Sequence, residues 1–102
     1  MNLNATKTIW KFPLNITDEQ IVVMPKGSDL LSVQVQYGTP NLWALINNPC
    51  APNESRRIFT LGTGHPAPND LGTYLGTYQT NGSALVLHVF DSLEKEKERS
   101  AA

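Results

Sequence analysis

Leu61-Gly62-Thr63-Gly64-His65-Pro66 puts two glycines, a hydroxyl and an imidazole in one loop, directly after a segment that carries Arg56 and Arg57. Such a loop can hold an anion: successive backbone N–H groups and the Thr63 hydroxyl point at it, His65 adds a donor and an arginine adds charge. The same residues also suit a tight strand-ending turn, in which glycines take φ > 0 and Pro66 closes the loop. No Gly-Lys-Ser/Thr follows and the Gly-X-Gly-X-X-Gly spacing is not met, so neither the P-loop nor the dinucleotide fingerprint applies. Arg56 and Arg57 are adjacent on a strand and point to opposite faces, so at most one of them enters a given site. Trp43, Tyr74 and Tyr78 offer rings on which a nucleobase can stack, with core packing as the competing use. The candidate ligand-binding set is therefore Gly62, Thr63, Gly64 and His65, with Arg57 or Arg56, Trp43 and Tyr74.

No catalytic or metal-binding set stands out. His65 and His88 are the only histidines, and neither has a carboxylate or cysteine at metal-ligand spacing. His88, among Val86, Val89 and Phe90 and opposite Leu75, reads as a satisfied core histidine rather than a base. Asp18, Glu19, Asp29, Glu54, Asp70 and Asp91 fall in predicted turns or loops, where a carboxylate lacks the burial that tunes it for acid–base work. Cys50, flanked by Pro49 and Ala51, is a lone loop thiol, and its isolation fits a reducing compartment. No cofactor is implied.

The elements that must carry these residues are strands. Trp10, Phe12 and Leu14 alternate with Lys11 and Pro13, a period of two, and Pro13 places that strand at a sheet edge. Ile16 to Gln20 leads into an apolar strand at Ile21-Val22-Val23-Met24, and Met24-Pro25-Lys26-Gly27 reads as a type I turn. Leu31, Val33, Val35 and Tyr37 alternate with Ser32, Gln34 and Gln36, giving one core face and one wet face. Gly38-Thr39-Pro40-Asn41 then connects to Leu42–Ile46, which pairs back as a hairpin. Asn47 to Ser55 is a proline-containing surface loop. Arg56 to Leu61 is a strand with Arg57, Phe59 and Leu61 on one face and Arg56, Ile58 and Thr60 on the other. Asn81-Gly82 is a two-residue turn signal that sets Tyr78 opposite Leu85, Gly76 opposite Leu87 and Tyr74 opposite Val89. Gly76 between two tyrosines marks a bend, a bulge or a close approach by a ligand or another backbone. Leu85 to Phe90, apolar on both faces apart from His88, is a central strand.

These elements make an all-β domain, a small antiparallel barrel or sandwich of about six to seven short strands over residues 1–91. Residues 92–102 form a charged tail, helical or disordered. A chain of 102 residues supports one core. With 40% apolar and 17% charged residues it is a folding composition. The net charge of −1 argues against a nucleic-acid surface, including an OB-type one. Residues 1–8 hold no apolar signal segment and no run approaches a membrane span, so the sequence is expected to be cytoplasmic, and its four Asn-X-Ser/Thr sites mark only polar turns.

Trp10–Leu14, Met24-Pro25-Lys26-Gly27, Leu31–Gln36, Leu42-Trp43-Ala44-Leu45, Gly62–Pro66, Tyr74–Tyr78 and His88-Val89-Phe90 occur in an order that resembles a family of small phage and prophage proteins of unknown function. The resemblance covers about residues 7 to 91; the charged tail after Asp91 departs from it. It implies the cytoplasm of an infected or lysogenic bacterial host and, by analogy with other small accessory phage proteins, a role in countering host defence. Joined to the glycine loop, it suggests a non-enzymatic protein that sequesters a small anionic, nucleotide-like signalling molecule. Because so short a chain has little depth for a closed pocket, the site is expected between subunits of a symmetric homo-oligomer. The alternatives are a protein–protein antagonist of a host defence factor and, third, a small phosphodiesterase-type enzyme using His65.

Overall fold

In the computed structural model residues 6–80, 82 and 84–92 are described. Seven strands follow one another: β1 (Thr8–Pro13), β2 (Glu19–Pro25), β3 (Asp29–Gln36), β4 (Thr39–Ile46), β5 (Asn53–Gly62), β6 (Thr73–Gln79) and β7 (Val86–Asp91). They form two antiparallel sheets, one ordered β1-β4-β3 and the other β2-β5-β7-β6. The fold is therefore all-β, and of the two expected architectures it is the sandwich. β1 is an edge strand, as Pro13 requires, and β7 lies between β5 and β6. The charged tail expected at residues 92–102 falls outside the described residues from 93 onward. Among the described residues no helix is long and apolar enough to cross a membrane.

The core comes from alternation. Leu42, Ala44 and Ile46 of β4, Val22 and Met24 of β2, Ile58 of β5 and Leu87 and Val89 of β7 are all buried between the sheets. On β3, only Val33 of the four alternating apolar residues is buried; Leu31, Val35 and Tyr37 are exposed. For Leu31 the cause is a bulge between Leu30 and Ser32, which turns Leu30 toward the core in its place. Tyr37 and Gly38 have φ of 52° and 79°, and Gln36 pairs with Thr39. The β3–β4 connection is thus a two-residue type I′ turn, two residues earlier and shorter than expected, and it leaves Tyr37 97% exposed at its tip.

Three further expectations are corrected. The turn after β2 runs from Pro25 to Ser28, with Ser28 N–H donating to Pro25 O and Gly27 at φ 85°, the positive third position of a type II turn. The strand β5 begins at Asn53 instead of Arg56, because Asn53 pairs with Pro25. Glu19, Asp29, Glu54 and Asp91 lie within strands, not loops.

The β6–β7 register is shifted by two. Tyr78 faces Leu87, Gly76 faces Val89 and Thr77 faces His88, and Thr80 N–H donates to Leu85 O. The connection is longer than a two-residue turn, and a two-residue slip keeps the side chains of residues 76 to 79 on their expected faces, whereas the bulge before Gly76 pairs Tyr74 with Phe90 and turns it to the outer face, away from Tyr78. Gly76 sits at a bulge between Tyr74 and Gly76, and a Cβ there would lie 3.2 Å from Val33 N and O. The close approach anticipated at this glycine is the backbone of β3.

Tyr78 is buried and its hydroxyl has no partner among the described residues. Burial raises its pKa above the usual 10.0. The neutral phenol is thus favoured by folding, so this contribution is intact below the unfolded value near 10 and is lost as pH rises through the folded one. Urea titrations at stepped alkaline pH are expected to show the loss, and Tyr78→Phe to abolish that part of it. An unchanged pH profile in the variant would remove the assignment.

Candidate functional site

The expected site residues divide among four places. Trp43 is on the outer face of the three-stranded sheet, opposite Lys11 and Ser32, with the Lys11 ammonium 5.8 Å from its ring centroid. That sheet is the one without the glycine loop. Arg56 points inward, its side chain 4% exposed, with Nη1 3.1 Å from Glu54 Oε2 and Nη2 3.1 Å from Asp91 Oδ2. Its guanidinium also donates to Ser28 O at 2.9 Å. Arg57, on the outer face of β5, pairs with Glu19 at 3.1 Å.

The remaining residues come together at one end of the four-stranded sheet. Gly62 closes β5, Gly64 takes φ 86°, and His65 N–H donates back to Gly62 O at 3.1 Å. The His65 ring lies over the Gly62 backbone, where a Cβ would meet its Nδ1 and Cε1 at 2.9 Å and push the ring aside. Thr63 N–H donates to Val86 O at 3.1 Å. Two of the loop's backbone donors are thus used internally, and the loop does not form an open nest of successive N–H groups.

What it does form is one wall of a groove of about 420 Å³, lined by Asp18, Glu19, Phe59, Thr60, His65 and Pro66 among others. A second cleft of about 110 Å³ adjoins it and shares Asp18, Thr60, Gly62 and His65. The groove exists because β5 outruns its neighbour. Thr60 N–H donates to Asp18 O at 2.9 Å, the last bond between the two strands, and β2 starts only at Glu19. By strand alternation Gly62 N–H points the same way as Thr60 N–H, toward the groove. Thr60 is 4% exposed and its hydroxyl has no partner among the described residues. One wall therefore offers donors, from Gly62 N–H and the His65 ring, with the buried Thr60 hydroxyl behind them. The other offers the carboxylates of Asp18 and Glu19. Among the described residues no group of three or more His, Cys, Asp or Glu is placed to hold a metal.

Tyr74 reaches the loop indirectly. His88 is on the outer face of β7 and not in the core, with Thr63 Oγ1 at 2.6 Å from Nε2 and Thr77 Oγ1 at 2.9 Å from Nδ1. Thr77 in turn bonds the Tyr74 hydroxyl. Thr63 donates to Val86 O at 3.4 Å. Its oxygen then accepts from His88 Nε2–H, Nδ1 accepts from Thr77, and Thr77 accepts from Tyr74. The chain of bonds ties the glycine turn to β6, and its geometry depends on the two-residue register shift that sets Thr77 beside His88. Around it the outer face is apolar: Ile21 and Val23 are exposed, and the Tyr74 and Phe90 rings meet edge to face at 5.6 Å.

Asp18, Glu19 and Thr60 are absent from the sequence-derived site. They meet only through the pairing of β2 with β5, some forty residues apart in the chain, and no local pattern announces that pairing. No curated protein and no solved structure matches the chain. A family model does match it, over residues 5–100, and the chain belongs to that family, the domain of unknown function DUF7352.

Proposed function

We propose that this protein is a non-enzymatic binding protein that sequesters a small nucleotide-like anion, as a phage accessory protein that counters a host defence signal. The groove beside the Gly62–His65 turn is the observation that carries the reading. Its volume of about 420 Å³ suits a small ligand. A nucleotide needs two kinds of contact that the walls supply separately. Carboxylates such as Asp18 and Glu19 accept from ribose hydroxyls, while Gly62 N–H and the His65 ring donate to phosphate or to base acceptors. Phe59, Pro66 and Pro68 give an apolar wall for the base. Two carboxylates in the wall, of which Glu19 alone is paired with an arginine, favour a ligand of low negative charge over a polyphosphate.

Isothermal titration with a panel of cyclic and linear nucleotides is the test. One class is expected to release heat, and His65→Ala to weaken it about tenfold or more, the value of a hydrogen bond to a charged group. No heat from any of them at high protein concentration would sink the reading. A second reading, antagonism of a host protein by docking, is favoured by the exposed apolar residues Ile21, Val23 and Tyr74 on the outer face of the four-stranded sheet. It predicts a stable protein partner and an empty titration.

A further inference from the structure

The strand β2 is at the edge of its sheet, and the bonds at its two ends show which of its residues face outward. Thr60 N–H reaches Asp18 O and Lys26 N–H reaches Pro52 O, with an unbroken register between them. Even-numbered residues of β2 therefore bond β5, and the N–H and C=O groups of Ile21 and Val23 point away from the sheet. Their side chains are 53% and 52% exposed on the outer face. From Gln20 to Met24 the edge carries no charge, proline or bulge, the devices that keep edges apart.

We propose that this edge pairs with the same edge of a second copy, antiparallel about a twofold axis at Val22. Outward-facing residues must oppose one another, so the register can move only in steps of two. With Ile21 opposite the partner's Val23, both amides of each strand find acceptors. The same register sets Asp18 opposite the partner's Lys26, and Lys26 opposite the partner's Asp18. Both residues are exposed and neither has an ion-pair partner among the described residues. A step in one direction puts Asp18 opposite the partner's Met24, and a step in the other brings Pro25, which has no N–H, against the partner's Ile21. In the chosen register Pro25 meets only the partner's Glu19, at the ends of the ladder, and the Asp18–Lys26 charge pairs select it. The paired sheet is eight strands wide, and Ile21 and Val23 cover their counterparts on its outer face.

The pairing also completes the groove. Asp18 is in its wall, so the partner's Lys26 arrives at its mouth and offsets one of its two carboxylates. That consequence rests on the ligand reading above; the dimer itself does not.

Sedimentation velocity of the full chain, without ligand and at low salt, is the test. The wild type is expected to be a dimer. Val23→Pro removes an outward N–H while leaving the β2–β5 ladder whole, and is expected to give a folded monomer by circular dichroism. Lys26→Asp is expected to raise the dimer Kd about tenfold or more, since it turns two attractive pairs repulsive, and the Asp18→Lys, Lys26→Asp double exchange to restore it. A wild type that stays monomeric at roughly 100 μM, weaker than most specific pairings, overturns the proposal. So does a folded Val23→Pro protein that remains a dimer or, where that variant does not fold, a charge reversal without effect. A dimer that binds no nucleotide overturns only the ligand reading.

Discussion

Arg56→Met is expected to lower the stability of the domain by about 3–5 kcal/mol, the cost of removing one partner from a buried ion pair. The guanidinium is where the four-stranded sheet is tied together. It bonds Glu54 on its own strand, Asp91 on β7 and Ser28 O in the turn after β2, and its Nη1 is 3.8 Å from Met24 Sδ. Methionine fills much of the space but leaves two carboxylates facing each other, with side chains only 22% and 13% exposed. For a domain of this size that corresponds to a fall in Tm of at least about 12 °C. The triple variant Arg56→Met, Glu54→Gln, Asp91→Asn is expected to recover part of the loss, because the penalty lies in the stranded charges and not in the missing cation. A Tm shift below about 4 °C for Arg56→Met, equivalent to less than ~1 kcal/mol, would show that the cluster is not a structural tie.

Gly72→Ala is expected to cost about 3 kcal/mol or more, for two reasons that act together. Gly72 has φ of +102°, a region that L residues occupy only under strain. Its missing Cβ would also lie 2.3 Å from Asp91 O and 3.1 Å from Ser92 Cα, which are backbone atoms that cannot turn aside. Gly64 is the control, with φ of +86° and nothing within 4 Å of its Cβ position. Gly64→Ala should therefore show the conformational strain alone, about 1–2 kcal/mol. Equal losses at the two positions in chemical denaturation would mean that the contact with Asp91 has no weight. Because Gly72 presses on the residue that holds Arg56, losses in the double variant with Arg56→Met are expected to be less than additive.

The grouping of side chains into faces was legible because strand alternation is a local property: Leu42, Ala44 and Ile46, or Arg56, Ile58 and Thr60, share a face whatever they pack against, but which face of β5 is buried was not. Gly76 was legible for a similar reason, since a missing side chain between two tyrosines leaves room that some backbone must fill. Arg56 and Arg57 mark the limit of such reasoning. Alternation separates them, but only the sheet-on-sheet packing decides that Arg56 goes inward, where Glu54 and Asp91 meet it. His88 is a second case: sheet packing buries Leu87 and Val89 and so turns His88 outward, and a register shifted by two residues then replaces Leu75 with Thr77 as its neighbour in an exterior hydrogen-bond chain.

By itself, the sequence determined that this is a small all-β domain, which side chains share a strand face, and that the Gly62–His65 segment is a turn at the end of one strand. Those follow from φ/ψ preferences and a two-residue period, which act over a few neighbours. Tertiary structure alone decided that β5 outruns β2, that Asp18, Glu19 and Thr60 join His65 around a groove, and that Ile21 and Val23 are left on an open edge. Those depend on which distant strands pair and in what register, and that choice is made by burial summed over the whole core.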